Sequence, residues 1–271
     1  SVIEKAASDN QAFNAALYTR LAAGKAAGKN LFFSGYSVSS AFAMLQAGAR
    51  GQTAADIASA LRFSLGDAEL HPAMNKIALE LESRAEAGGA GSDGKGFRLA
   101  MNNSFWGEKT TSWVPAYLDT LAVHYGSGIN LVDFREDPEA AREKINAWTE
   151  AKTEERIKEL LPPASIRSST RFVLVNTVYF NAAWLEEFAA ASMPFTGLDG
   201  ATSPVDAIRN TSTDFKYAET EEAQVVAIPY EGRKLEMAVV VPRSLADFEA
   251  GLDGAKLDGL LAAPTPQNVA P

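Results

Sequence analysis

The chain has 271 residues, 46% of them hydrophobic, enough to bury a sizeable core in one large domain or two ordinary ones. Its formal net charge of −9 repels phosphate backbones, so nucleic acid is not an expected partner. With no cysteine, disulfides, thiol catalysis and Cys-based metal sites are excluded, although the compartment is not fixed. No window approaches a transmembrane span, and Ser1-Val-Ile-Glu4 lacks the charged start and apolar core of a signal peptide. A soluble molecule is expected.

In chain order, Asp9 or Asn10 can cap a first helix whose stripe is Phe13, Leu17 and Leu21. A glycine-bounded break at 24–29 precedes a short apolar strand, Asn30–Phe33. Ser34-Gly-Tyr-Ser37 leads into a second helix with Val38, Ala41, Phe42 and Leu45 at helical spacing. Rich in small residues and nearly uncharged, that helix should be buried, and Gly48 should end it. Thr53–Asp56 reads as a capping-box-like start to a third helix carrying Ile57 and Leu61. Residues 68–87 predict a fourth, with Met74, Ile77 and Leu81 inward and Glu80, Glu82, Arg84 and Glu86 outward. A glycine-rich loop, Gly88–Gly94, separates it from a long strand, Phe97–Trp106. A helix over Val114–Tyr125 and a strand at Ile129–Phe134 follow. Asp137-Pro138, a cap then proline in the first turn, opens a helix to about Lys152 with Ala141, Ile145 and Trp148 on one face.

Arg171–Phe180 is too short and too β-branched for a comfortable helix, and it is apolar on both faces. Such a strand is expected to be central in its sheet and covered on both sides. The exception is Asn176, an amide on the face of Phe172, Leu174, Val178 and Phe180. Burying an amide without partners costs about 1–3 kcal/mol, so Asn176 should be hydrogen-bonded to specific neighbours. A loop-rich stretch to Pro204 is expected next. Strands are then predicted at Val205–Ile208, Phe215–Tyr217, Gln224–Ile228 and Leu235–Val241, the last two joined by a hairpin at Tyr230-Glu-Gly-Arg233. Two short helices, Asp247–Leu252 and Leu257–Ala262, lead to a connector from Ala263 to Pro271. Many helices first and interspersed long strands later fit an α+β architecture.

Residues suited to chemistry are few. His71 and His124 are far apart in sequence, and HExxH, Walker-loop, GxGxxG and GxSxG patterns are absent. Paired carboxylates such as Glu154-Glu155 and Glu221-Glu222 read as solvated surface, and nothing assembles a serine, a histidine and an acid. Neither an enzyme nor a cofactor or metal is expected. The chain reads as a binding, inhibitory or structural protein.

Several stretches carry a family resemblance. Asn30-Leu-Phe-Phe-Ser-Gly-Tyr-Ser-Val-Ser-Ser-Ala-Phe-Ala-Met-Leu-Gln-Ala-Gly-Ala-Arg-Gly-Gln-Thr53 closely resembles the second-helix signature of the serpins, the serine protease inhibitor superfamily. Asp133-Phe134, Ile145-Asn-Ala-Trp148, the run from Phe172 to Trp184 with Phe188, Pro229-Tyr230 with Gly232, and Pro242 match in order and spacing. The resemblance covers the chain from Asn10 onward. It implies a serpin fold of three β-sheets and eight or nine helices, and a metastable protein inhibiting serine, or alternatively cysteine, endopeptidases. Its exposed reactive loop would, once cleaved, insert into the main sheet as a new strand. A non-inhibitory carrier, chaperone or storage protein is the alternative.

By the same resemblance, Ser34, Ser37 and Asn176 fall on the "shutter", where the sheet parts, and Trp184 on the "breach", where insertion begins. Gly35 departs from the family, standing where most members have proline. The resemblance further implies that residues 1–271 are the N-terminal portion of a single serpin domain. The reactive loop and its scissile bond would lie beyond Pro271, and a C-terminal serpin segment would be required to complete the fold. Secretion is the expected location, with an intracellular one left open. Heparin binding is not expected, because the fourth helix carries Glu69, Glu80, Glu82 and Glu86 against Lys76 and Arg84.

Overall fold

A computed structural model describes residues 1–24, 27–86, 94, 96–211 and 215–266. It divides into two units, the first built from Ser1–Phe13, Ser34–Glu82 and Leu99–Phe180, the second from Asn14–Phe33, Ser83–Arg98 and the residues from Asn181 on. Among the described residues there are eight helices and three sheets, as the α+β reading requires.

Helix α1 (Val2–Ala22) starts earlier than the sequence suggests. Ser1 Oγ accepts from the Glu4 amide at 3.2 Å and caps it, while Asp9 accepts from the amide and hydroxyl of Ser64 at 2.8 Å. Residues 30–33 form no strand, because no described stretch pairs with them, and Phe32 is left fully exposed. Helix α2 (Gly35–Gly48) buries its small-residue face, Ser39, Ser40, Ala43, Met44 and Ala47, and leaves Phe42 exposed. Helix α3 (Gly51–Ala60) begins two residues before Thr53, since Gly51, at φ +57°, turns the chain directly after α2. The expected capping box at Thr53–Asp56 is therefore not formed. Helix α4 (Asp67–Glu86) packs Leu70, Ala73 and Met74 against Ala6, Ala43 and Leu65. The loop predicted after it lies, apart from Gly94, outside the described residues.

Strand β1 (Arg98–Glu108), helix α5 (Pro115–Tyr125), strand β2 (Ile129–Val132), helix α6 (Pro138–Lys152) and strand β3 (Phe172–Asn181) follow. The sheet order is β2-β1-β3, with β1 and β2 parallel and Phe105 opposite Ile129. Period-two alternation explains the two covered faces. Trp106 and Val175 pack with Ala141 and Ile145 of α6, and Trp148 borders the same cluster. Phe105 packs with Met44 of α2 and Leu121 of α5, and Leu174 of β3 joins that side. Asp137 caps α6 as predicted, its carboxylate accepting from the Ala140 amide at 3.0 Å.

The expectation that β3 is central fails. It is covered on both faces but stands at the sheet edge, because no other described strand pairs with its free side. Phe172, Val178 and Phe180 remain 41%, 37% and 43% exposed.

The last residue of β1, Glu108, is a buried carboxylate with a structural task. It accepts from the amide and hydroxyl of Thr110 at 3.0 and 2.8 Å and from the Phe134 amide at 2.7 Å. Burial pushes this acid up, but these donors outweigh it and hold it below the ordinary carboxylate range. A depressed acid contributes stability above its unfolded value that is lost as pH falls through the folded one. Glu108→Gln should lower the thermal midpoint at neutral pH, and the gap from wild type should shrink on acidification below about pH 4. Midpoints measured across that range check this; a gap independent of pH would contradict it.

In the second unit, β4 (Ala189–Thr196) and β5 (Thr202–Arg209) form an antiparallel ribbon; β5 contains the strand predicted at Val205–Ile208, whereas β4 and the start of β5 lie where a loop-rich stretch was expected. Pro194 opposite Pro204 argues against strand in a sequence reading of the stretch before Val205. Strands β6 (Lys216–Glu219), β7 (Ala223–Pro229), β8 (Glu236–Pro242) and β9 (Thr265–Pro266) make a sheet of order β8-β7-β6-β9. The predicted hairpin joins β7 to β8, with Gly232 and Arg233 at positive φ. Helices α7 (Leu245–Ala250) and α8 (Gly254–Ala262) follow, and Leu260 packs on Ala223 and Val225.

Candidate functional site

The second-helix signature places serines three residues apart, at 34, 37 and 40, where helical spacing brings positions 37 and 40 to one face. Ser34 precedes α2 and caps it, its Oγ accepting from the Ser37 amide at 3.2 Å. The Ser37 hydroxyl donates to Oδ1 of Asn176 on β3. Asn176 Nδ2 donates to Oδ1 of Asn103 on β1 at 2.8 Å, and Asn103 Nδ2 donates to Ser40 Oγ at 3.3 Å. The path leaves α2 at Ser37, crosses both strands and returns to α2 at Ser40. Each amide uses its oxygen as acceptor and its nitrogen as donor, which satisfies two polar groups on an otherwise apolar face. Beside it, Asn102 Nδ2 lies 3.5 Å from Thr177 Oγ1.

Asn176 thus has the specific partners its position demands. Ser37 is one of them, whereas Ser34 contacts the network only through its cap on Ser37. Asn103 and Ser40 were missed in the sequence. The signal was present: Asn102-Asn103 interrupts an apolar strand as Asn176 does, and invites the same question of partners.

A cavity of about 160 Å³ adjoins the network, lined among others by Ser40, Asn103, Asn176, His124 and Tyr125. Among the described residues, no group of three or more His, Asp or Glu side chains could hold a metal ion, and no helix is long and apolar enough to cross a membrane.

Trp184 belongs to the second unit, where it forms an antiparallel bridge with Tyr230. Its indole stacks on the Tyr230 ring at 4.6 Å with an interplanar angle of 11°. Phe188 meets it edge-on at 5.5 Å and stacks in turn on Phe215 at 6.1 Å. Backbone bonds from Leu185 to Pro229 (3.1 Å) and from Glu231 to Ala183 (2.9 Å) hold the pair in register. Burial pushes the Tyr230 hydroxyl up, so it stays neutral through the physiological range.

The family model described as "Serpin (serine protease inhibitor)" matches residues 8–270, and the chain belongs to the serpin family. It is 32% identical over 240 residues to a serpin-like protein of Methanosarcina acetivorans, covering 88% of this chain and 53% of that protein. It is also 32% identical over 254 residues to mouse leukocyte elastase inhibitor A, covering 92% of this chain and 64% of the relative. The chain therefore spans between half and two thirds of the length of these curated relatives. In structure it is similar to emu ovalbumin, with a TM-score of 0.86, 22% identity, and coverage of 97% of this chain and 71% of the other. An Arabidopsis serpin in its native stressed conformation gives 0.79 and 24%, covering 98% of this chain and 68% of the other. The serpin fold is thereby established.

Proposed function

We propose that residues 1–271 are the N-terminal portion of one serpin domain, and that the whole protein inhibits serine, or alternatively cysteine, endopeptidases. The protease cleaves a reactive loop located beyond Pro271. The loop then enters the main sheet beside β3 and carries the covalently attached protease with it. The protein acts as a substrate consumed once, not as an enzyme.

The observation that carries this reading is the place of β3 at the end of the strand order β2-β1-β3 among the described residues, a strand covered on both faces whose Phe172 and Val178 stay half-exposed. Unpaired edges are costly in a finished fold and serve to accept a strand. In this reading Ser37 and Asn176, with Asn103 and Ser40, are the shutter that holds β1 and β3 to α2, and Ser34 fixes the helix end that carries Ser37. Trp184, stacked on Tyr230, is the breach. Relatives named as inhibitors of leukocyte elastase and as antithrombin-III support inhibition as the activity.

The test is to express the protein from its whole reading frame and incubate it with a panel of serine and cysteine endopeptidases. At least one should lose activity and appear in a complex that survives heating in SDS. Cleavage by every protease tried, with no such complex, would overturn the reading in favour of a non-inhibitory member.

A further inference from the structure

The mechanism above makes no use of the two histidines, yet the fold brings them together inside the first unit. His71 of α4 is 5% exposed, and its imidazole lies nearly parallel to that of His124 of α5, with ring centroids 6.4 Å apart and an interplanar angle of 28°. His71 Nδ1 is 2.7 Å from the Tyr125 hydroxyl. His71 Nε2 and His124 Nδ1 are both buried without a hydrogen-bond partner among the described residues.

A neutral imidazole tolerates this, because only one ring nitrogen carries a proton and Tyr125 can accept from or donate to Nδ1. An imidazolium does not. Protonated His71 bears two N–H donors and a charge in a buried place, with an acceptor for only one donor among the described residues. Protonated His124 adds a second cation against its face. Asp67, one turn earlier on α4, acts on His71, and Tyr125 of α5 bonds to it. Tyr36 of α2 and Glu82 of α4 line the same cavity as His124, and Tyr36 and Tyr117 act on Tyr125. Glu82, further along α4, lowers the potential at Tyr36, and Asp9 of α1 is engaged by Ser64. Asp67 already accepts from Gln46 at 3.3 Å. Burial lowers the His71 pKa, Asp67 opposes this, His124 adds to it, and the net direction is down. Burial holds the Tyr125 hydroxyl well above its ordinary value.

We propose that His71, packed against His124, is an acid-sensitive latch between α4 and α5, closed while the His71 ring is neutral and pushed open when it is charged. The latch adjoins the amide network, because His124 and Tyr125 line the same cavity as Asn103 and Asn176. Opening it loosens the packing behind β1 and β3. A base with a depressed folded pKa gives full stability above the unfolded value, near 6.5, and loses it as pH falls below that value.

In the protein expressed from its whole reading frame, thermal midpoints of wild type and of the His71→Gln/His124→Gln variant should be compared at about pH 7.5 and 5.5. Acidification should lower the wild-type midpoint by about 3 °C more than that of the variant. Amide exchange in α4 and α5 should rise at the lower pH in wild type alone. Equal falls in both proteins would overturn the latch. A second measurement does not depend on the double variant. NMR titration of wild type should show His71 below the ordinary imidazole value, moving up in His124→Gln. An ordinary or raised His71 titration, unmoved by that substitution, would likewise sink the proposal.

Discussion

Phe105→Ala should lower stability by about 3–5 kcal/mol, the range for removing a buried aromatic side chain. The ring is 1% exposed and lies where three elements converge. Trp113 and Tyr117 meet it edge-on at 5.0 and 5.6 Å, and Phe172 of β3 stacks on it at 5.8 Å. Met44 of α2 and Leu121 of α5 close the cluster. Alanine leaves a hole that these neighbours cannot refill, because each is held by its own element. For a chain of this size the loss corresponds to a fall in thermal midpoint of about 10 °C. Phe105→Leu, which keeps most of the volume, should cost less than half as much. Calorimetry of the three proteins checks the order. An alanine variant within about 1 kcal/mol of wild type would mean that the cluster collapses to fill the space, and that Phe105 does not anchor β1 to α2 and α5.

Phe105 also shows where sequence reading succeeds. The sequence puts it in a long strand, Phe97–Trp106, which the structure forms as part of β1, with α6 against one face and the α2–α5 pair against the other. Local signals were equally legible at Asp137-Pro138, where cap chemistry acts within one turn, and at Gly232 in the β7–β8 hairpin. What could not be read depends on partners remote in sequence. Nothing within Arg171–Phe180 distinguishes a central strand from an edge strand covered on both faces, since the difference lies in whether another strand arrives. Asn30–Phe33 has strand composition but no ladder. In the β4–β5 ribbon the strand at Val205–Ile208 was legible, but β4, with Pro194 facing Pro204, was not.

The candidate site divides in the same way. Asn176 was marked by the cost of burying an amide, and Ser37 by the family resemblance. Asn103 and Ser40 came only from the structure, although Asn103 breaks an apolar strand by the same rule. His71 and His124 are separated by a loop and a long strand in sequence, so no spacing argument could pair them. Only the packing of α4 against α5 does so.

The second large effect is expected at Asn176. Asn176→Ala removes the acceptor of the Ser37 hydroxyl and the donor to Asn103 in one step, leaving both partners without their bond in a half-buried place. Stranded polar groups of this kind cost about 1–3 kcal/mol, beyond the small loss of packing. If Asn176 merely filled space, only the packing loss would be seen, and Asn176→Leu would restore it. In the proposed shutter the loss has a direction. The uncleaved protein depends on the Ser37–Asn176–Asn103–Ser40 path to hold β3 and β1 against α2, because β3 ends the strand order among the described residues. After loop insertion its outer edge is paired, and the ladder supports the strand independently of the amide. The uncleaved variant should therefore show a lower unfolding midpoint and faster polymerisation on warming, while the loop-cleaved variant loses markedly less. Parallel melts of cleaved and uncleaved protein decide the matter. Equal destabilisation of the two forms, or rescue by leucine, would leave Asn176 a packing residue and remove it from the shutter.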